Sequence, residues 1–174
     1  MVAVARWLWR AVLGALTLAV LMLWASAAML PRAWQVEAAR VVPAPAHAVS
    51  AHLSGHGAVA ALLRPNTPAS AVDGASHTYR WSSEPDADHL TVHTTPDERT
   101  RSLIYTRSLE HGWAASRGDI TLRPLDDGTT AVTWREAGSL PPPLGGLFRS
   151  PMQTAVSGAL HDALARLDAE TAPR

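Results

Sequence analysis

The chain has no cysteine and no lysine among its 174 residues. Without cysteine there is no disulfide, no thiolate metal site and no cysteine nucleophile, although the compartment stays open. All 15 basic residues are therefore arginine, which reads as a compositional bias of the genome, and 15 acidic residues balance them to a formal net charge of 0. No basic excess invites a nucleic-acid partner. Internal repeats, runs of like charge, a phosphate loop, a paired-carboxylate motif and a Ser/His/Asp order are missing too. Neither a cofactor nor a catalytic residue can be assigned from motifs.

One long apolar run is present. Residues 11–30 carry no charge and are long enough to cross a bilayer core as a helix, which takes about 20 apolar residues. Arg6 and Arg10 precede the run, and Trp7, Trp9 and Trp24 suit interfacial positions. Ala25-Ser26-Ala27 would also serve as a signal-peptide cleavage site, but the run exceeds the ~7–15 residues of a signal core, which favours an uncleaved anchor. Either way the chain is delivered to a membrane. Arg32 and Arg40 follow the run, so charge barely sets its orientation; the N-terminus is expected inside and the domain outside the cytoplasm. The expected organisation is an anchor over residues 1–32, a domain over 33–170 and a tail over 171–174.

The rest of the chain is organised around residues 113–138. Asp126-Asp127-Gly128 is a turn signal. Before it Ile120 and Leu122 share one strand face, and after it Val132 and Trp134 do, which predicts a long antiparallel hairpin with one apolar side. Upstream, Trp34, Val36, Ala38 and Val42 alternate as a strand. Residues 45–54 read as a short helix with Pro45 in its first turn, Val49 and Leu53 inward, and Gly55 as its stop. Residues 59–63 suggest a partial helical turn and 65–75 a loop. Strands follow at 76–83 (His77, Tyr79 and Trp81 on one face), at 89–94 (Leu90, Val92) and, past a turn at 96–99, at 101–109 (Leu103, Tyr105). Residues 139–149, with three prolines and two glycines, read as an irregular loop. A final helix is predicted from a capping box of Ser150 and Gln153 around Pro151. Met152, Val156, Leu160, Leu164 and Leu167 make its apolar stripe, with Ala155, Ala159 and Ala163 beside it. Asp162 and Arg166 can pair on its wet side. The economical assembly is α+β: a curved antiparallel sheet wrapped around a long C-terminal helix, after one transmembrane helix.

Several short motifs, in this order, resemble the START-like (SRPBCC, polyketide-cyclase-like) superfamily, and more narrowly bacterial members with an N-terminal membrane anchor. Val41-Val42-Pro43-Ala44-Pro45 resembles the strand end that opens the first helix, with Val49 one residue late. Gly74-Ala75 through Tyr79-Arg80-Trp81 resembles a G-A-x-Y-x-W strand, and Pro96-Asp97-Glu98-Arg99 a P-P-E-R turn. Leu122-Arg123-Pro124-Leu125, then Asp127-Gly128-Thr129 and Val132-Thr133-Trp134, resembles the L-x-P-x-x-D-G-T-x-V-T-W hairpin. The likeness spans residues 34–169. It implies a helix-grip fold with a cavity between sheet and C-terminal helix that often holds an apolar ligand, and it carries no universal catalytic residue. One departure is that residues 56–73 lack the usual Trp-rich segment, which bears on the lid and the pocket volume.

From alternation, Tyr79, Trp81, Leu103, Tyr105, Ile120, Leu122, Val132 and Trp134 face inward, opposite Met152, Val156, Leu160 and Leu164. They are expected to line a pocket for a hydrophobic small molecule or lipid, against the plainer reading that they fill a core. Tyr79, Tyr105 and Trp134 bring hydrogen-bonding groups inward. His52 and His56, four apart, lack an H-E-x-x-H context, and His89 and His93 near Asp86 and Asp88 read as a solvated edge, so no metal is expected. His111 in its turn, and His161 beside Asp162, read as exposed. Glu110, Arg107 and Arg117 read as solvated charge, or else as charge at a pocket mouth. The expected function is ligand binding by a membrane-anchored domain. A cyclase or dehydratase-like enzyme using Tyr79, Tyr105 or a histidine, and a filled-core interaction module, are the alternatives. An inward pair of titratable groups would favour the first alternative, and a pocket far below ~300 Å³ the second.

Overall fold

The computed structural model describes residues 2–72, 77–82, 88–94, 96, 101–109 and 113–172. The long hairpin forms where the alternation predicts it, as β6 (Ala114–Pro124) and β7 (Thr130–Ser139). Its turn closes through Leu125 N–H to the Thr129 carbonyl at 2.9 Å, with Gly128 at φ +78°, a value that favours glycine. Asp127 Oδ1 accepts from the Thr129 hydroxyl at 2.6 Å and its N–H at 3.0 Å, which holds the exposed carboxyl below its ordinary pKa.

The other elements, in chain order, are α1 (Val2–Met29), β1 (Ala33–Val42), α2 (Ala46–Leu53), α3 (Ala58–Leu63), β2 (Ser70–Ala71), β3 (Thr78–Arg80), β4 (His89–Thr94), β5 (Ser102–Leu109) and α4 (Gly145–Thr171). The strands form one antiparallel seven-stranded sheet in the order β1-β7-β6-β5-β4-β3-β2. First and last strands of the chain's main run meet: β1 pairs with β7 from Ala33↔Ser139 to Val42↔Thr130. Thr130 pins that corner by donating to the Ala44 carbonyl at 2.7 Å. The sheet curves around α4, a helix-grip architecture, as the residue pattern predicts. Val156, Leu160, Ala163, Leu164 and Leu167 are the buried stripe of α4. Polar contacts at two heights, Gln153 to the Gln35 carbonyl at 3.2 Å and Arg40 to Asp168 at 2.6 Å, lay the helix along β1.

Some boundaries differ from expectation. Helix α4 starts at Gly145, not at Ser150, so the capping box does not form and Pro151 lies inside the helix. Packing sets this start: a Cβ on Gly145 would meet Leu140 Cβ at 2.7 Å, and one on Gly146 would meet Leu30 Cβ at 2.4 Å. The two glycines that read as loop are the residues that let the first turn seat. Strand β7 runs through Ser139, so the connection shrinks to residues 140–144. The expected loop 65–75 contains β2, paired with β3. Within the described part of the expected strand 76–83, only Thr78–Arg80 is strand, and Trp81 lies buried just past its end. Pro45 is the N-cap of α2 and not its first helical residue. Arg166 turns from Asp162 to the Leu62 carbonyl at the end of α3, at 3.1 and 2.5 Å. Asp73, residues 74–76, Asp86, the turn at 97–99, Glu110, His111 and residues 173–174 lie outside the described residues.

Helix α1 contains a stretch, Val12–Met29, with mean hydropathy 2.1, long and apolar enough to cross a membrane by length and composition. Its described side chains from Trp9 to Met29 are exposed, with Ala27 alone among them buried.

Candidate functional site

Inward parity can be followed along three adjacent strands. On β5 it reads Leu103, Tyr105, Arg107, Leu109; on β6, Ala114, Ser116, Gly118, Ile120, Leu122; on β7, Thr130, Val132, Trp134, Glu136. The apolar members form the core with β1 and α4, but the row turns polar toward one end of the sheet. Glu136 is 0% exposed and Arg107 6%.

Glu136 is held by three donors. Its Oε1 accepts from Arg107 Nη2 and from the Ser116 hydroxyl, each at 2.6 Å, and its Oε2 from the Tyr105 hydroxyl at 2.8 Å. Tyr105 accepts in turn from Trp134 Nε1 at 2.8 Å. The bridge from β5 to β7 must cross β6, and Gly118 makes room: Tyr105, Gly118 and Glu136 are register partners, and a Cβ at Gly118 would lie 2.0 Å from Tyr105 Cζ. Burial, and then the Glu136 carboxylate, push the Tyr105 hydroxyl well above its ordinary pKa, so it keeps its proton through neutral pH.

Two buried N–H groups in this region find no acceptor among the described residues: Arg107 Nε and Trp34 Nε1. Both residues belong to one cross-strand row, Trp34–Gly138–Ser116–Arg107, and the Trp34 ring lies over Gly138. A buried donor without a partner costs about 1–3 kcal/mol, so such a row is suited to an oxygen acceptor on a bound molecule or a water.

Beyond this row the sheet end opens. Leu109 and Ala114 pair one inward step past Arg107 and Ser116, and Trp113 stands at the rim. There Trp113 meets Phe148 edge to face, centroids 5.9 Å apart, and with Pro151, Met152 and Ala155 they line an open groove of about 600 Å³. A second groove of about 780 Å³ lies between α2 and the hairpin, lined by Pro45, Ala46, His47, Ser50, Ala51, Arg101, Leu122 and Pro124. A recess of about 10 Å³, room for one water, adjoins Tyr79 and Gly57.

The residues singled out from sequence distribute accordingly. Leu103, Tyr105, Ile120, Val132, Trp134, Val156 and Leu160 lie together in the core between sheet and α4. Met152 is half-buried and lines the apolar groove, Leu122 borders the second groove, and Tyr79 the recess. Trp81 is buried under the Arg64 guanidinium, 4.8 Å from its ring. Arg107, read from sequence as solvated, is buried; Arg117 is on the outer face as expected. Sequence reasoning missed Glu136 and Ser116, although each continues the inward parity of its strand.

The histidines diverge. His52 pairs with Glu170 at 2.9 Å while His56 turns to the Tyr79 hydroxyl at 3.4 Å, so their helical spacing is not used together. His93 bonds Thr106 at 2.9 Å, and His161 bonds the Ser157 carbonyl one turn back at 2.8 Å. Asp88 pairs with Arg64. No cluster of three metal-ligating side chains occurs among the described residues.

Residues 33–172 match the model of the family described as polyketide cyclase / dehydrase and lipid transport. No curated protein matches the chain in sequence. Among solved structures, the chain is similar to the Zhui aromatase/cyclase from a Streptomyces species, with a TM-score of 0.62 at 15% identity over 80% of this chain and 93% of that one. It is similar also to the protein XoxI from Bacillus cereus, with a TM-score of 0.61 at 13% identity over 79% and 95%. A point mutant of norcoclaurine synthase from Thalictrum, in complex with a transition-state analogue, is similar with a TM-score of 0.58 at 15% identity over 80% and 96%. At these identities the likeness establishes the fold.

Proposed function

We propose a function from one premise: the chain belongs to the polyketide cyclase / dehydrase and lipid transport family. It is a domain that binds a hydrophobic small molecule or lipid between sheet and α4, and α1 holds it at a membrane with the domain outside the cytoplasm. The apolar part of the ligand enters along Trp113, Phe148, Pro151, Met152 and Ala155. The inward side chains Leu103, Tyr105, Ile120, Val132, Trp134, Val156 and Leu160 form the wall behind it, with Tyr79, Trp81 and Leu122 at its far margins. An oxygen of the ligand faces the Arg107–Ser116–Trp34 row. Hiding roughly 200 Å² of apolar ligand surface would contribute about 5 kcal/mol before ordering costs.

The observation that carries this reading is the buried Arg107–Glu136 pair. Apolar residues of similar volume in place of a buried ion pair often leave a protein as stable or more so, so stability alone does not account for the presence of this one. Native mass spectrometry of the full chain released from lipid nanodiscs tests the proposal. An extra apolar mass is expected on the wild type and should be lost in Ala155→Trp, which fills the groove from an exposed position. A bare mass for both proteins, with no thermal shift across a panel of apolar ligands, would reject it.

A catalytic reading has one observation in its favour, the inward titratable pair of Tyr105 and Glu136. A tyrosine that keeps its proton can donate to a developing enolate oxygen. Its hydroxyl already bonds Glu136 and Trp134, so it would have to rotate toward substrate. Under this reading Tyr105→Phe retains the bound mass and abolishes turnover; under simple binding it merely retains the mass.

A further inference from the structure

The apolar groove and the end of the anchor helix are neighbours. Leu30 follows directly on the apolar stretch Val12–Met29, and Gly146 in the first turn of α4 packs so closely on it that a Cβ would lie 2.4 Å from Leu30 Cβ. Ala27, in the last turn of α1, is buried, and Leu140 N–H bonds the Arg32 carbonyl at 3.1 Å. Residues 140–148 are therefore tied to the point where α1 ends. An 18-residue helix rises about 27 Å, close to the hydrocarbon thickness of a bilayer. Whatever touches Leu30 then stands at the boundary between hydrocarbon and headgroups.

What stands there is apolar. Trp113 is 40% exposed, Leu144 39%, Leu147 47% and Phe148 49%. Together with Met29 and Leu30 they form a collar around the α1–α4 junction, large side chains that soluble surfaces seldom gather in one place. Tryptophan is the side chain most at home at an interface. Arg149, next to Phe148, has a buried Nε with no acceptor among the described residues. The turn at Asp126, by contrast, lies at the opposite end of the sheet and is polar.

We infer that this collar sits in the interfacial layer of the bilayer, so that the groove of Trp113, Phe148, Pro151, Met152 and Ala155 opens onto the membrane and its ligand exchanges with the lipid phase without crossing water. This rests on α1 spanning the membrane, as in the function proposed above. Because the chain has no cysteine, single cysteines can be introduced and spin-labelled without further change. The full chain is reconstituted into vesicles of phosphatidylcholine and phosphatidylglycerol, with labels at Leu21→Cys, Leu147→Cys, Phe148→Cys and Asp126→Cys. Collision with oxygen, which concentrates in lipid, is compared with collision with a water-soluble nickel chelate.

The expected result is an oxygen-to-nickel ratio several-fold higher at positions 21, 147 and 148 than at 126. A label at 21 that favours oxygen, with labels at 147 and 148 that match 126, overturns this inference alone. A label at 21 that favours nickel overturns the anchor and the inference with it. Labels at 147 and 148 shielded from both reagents in a chain that runs as a dimer would assign the collar to a second copy and overturn it likewise.

Discussion

Glu136 draws together side chains from two neighbouring strands, and each of its partners depends on it differently. In Glu136→Gln the amide keeps one acceptor oxygen; with that oxygen toward Arg107 and Ser116, the buried Tyr105 hydroxyl loses its acceptor, at about 1–3 kcal/mol. Arg107 would keep a charge with no counter-ion at 6% exposure, which is the larger cost. Glu136→Gln is therefore expected to destabilise by about 3–5 kcal/mol in urea unfolding. The double change Arg107→Met with Glu136→Met should recover most of that, because the buried charges leave together. A double variant as unstable as the single one would mean that the pair itself contributes the stability. The signal for this cluster was present in the sequence, since Glu136 follows Val132 and Trp134 at even spacing, and Arg107 follows Leu103 and Tyr105. It went unused because a charge on an inward position reads as an edge or a surface residue, buried charges being rare. Partner identity was beyond reach. Arg107 and Glu136 lie on strands that do not touch, and only the register through Gly118 and Ser116 brings them together.

At the scale of elements, periodicity recovered what repeats and missed what packing decides. The hairpin, β1 and the buried stripe of α4 were legible because one face of each must alternate or recur to meet a core. The start of α4 was not. Gly145, Gly146 and Pro151 carry local signals of a loop and a helix start, and contacts to Leu140 and Leu30 override them. The two-residue strand β2 is too short for any period to show. Within α4 the stripe makes a paired prediction. Leu160 is fully buried, so Leu160→Ala should cost about 2–5 kcal/mol. Gly158, two residues earlier, has nothing within 4 Å of a would-be Cβ, so Gly158→Ala should stabilise by about 0.5–1 kcal/mol through helix propensity. Thermal or urea unfolding of the two variants should move in opposite directions. A shift of the same sign in both would mean that the helix is not lodged as described.

Considered whole, the molecule separates folding from placement. The core runs from Trp34 to Leu167 and includes no described side chain of α1. Its closure depends on β1 meeting β7 and on α4 lying along β1, and both lie after Pro31. The contacts made where α1 ends, Ala27 in its last turn and Leu30 on Gly146, are few and are expected to contribute little to whether the domain folds. A chain of residues 31–174 is accordingly expected to unfold cooperatively in urea, within about 1 kcal/mol of the full chain, with tryptophan fluorescence as the readout. What it should lose is position: Leu144, Leu147 and Phe148 would then face water with no lipid to receive them. The shortened chain should therefore pellet with added phosphatidylcholine vesicles, and Phe148→Glu should release it. A broad, non-cooperative transition would show that α1 is part of the fold after all. A cooperative chain indifferent to vesicles would leave the anchor as the sole membrane contact.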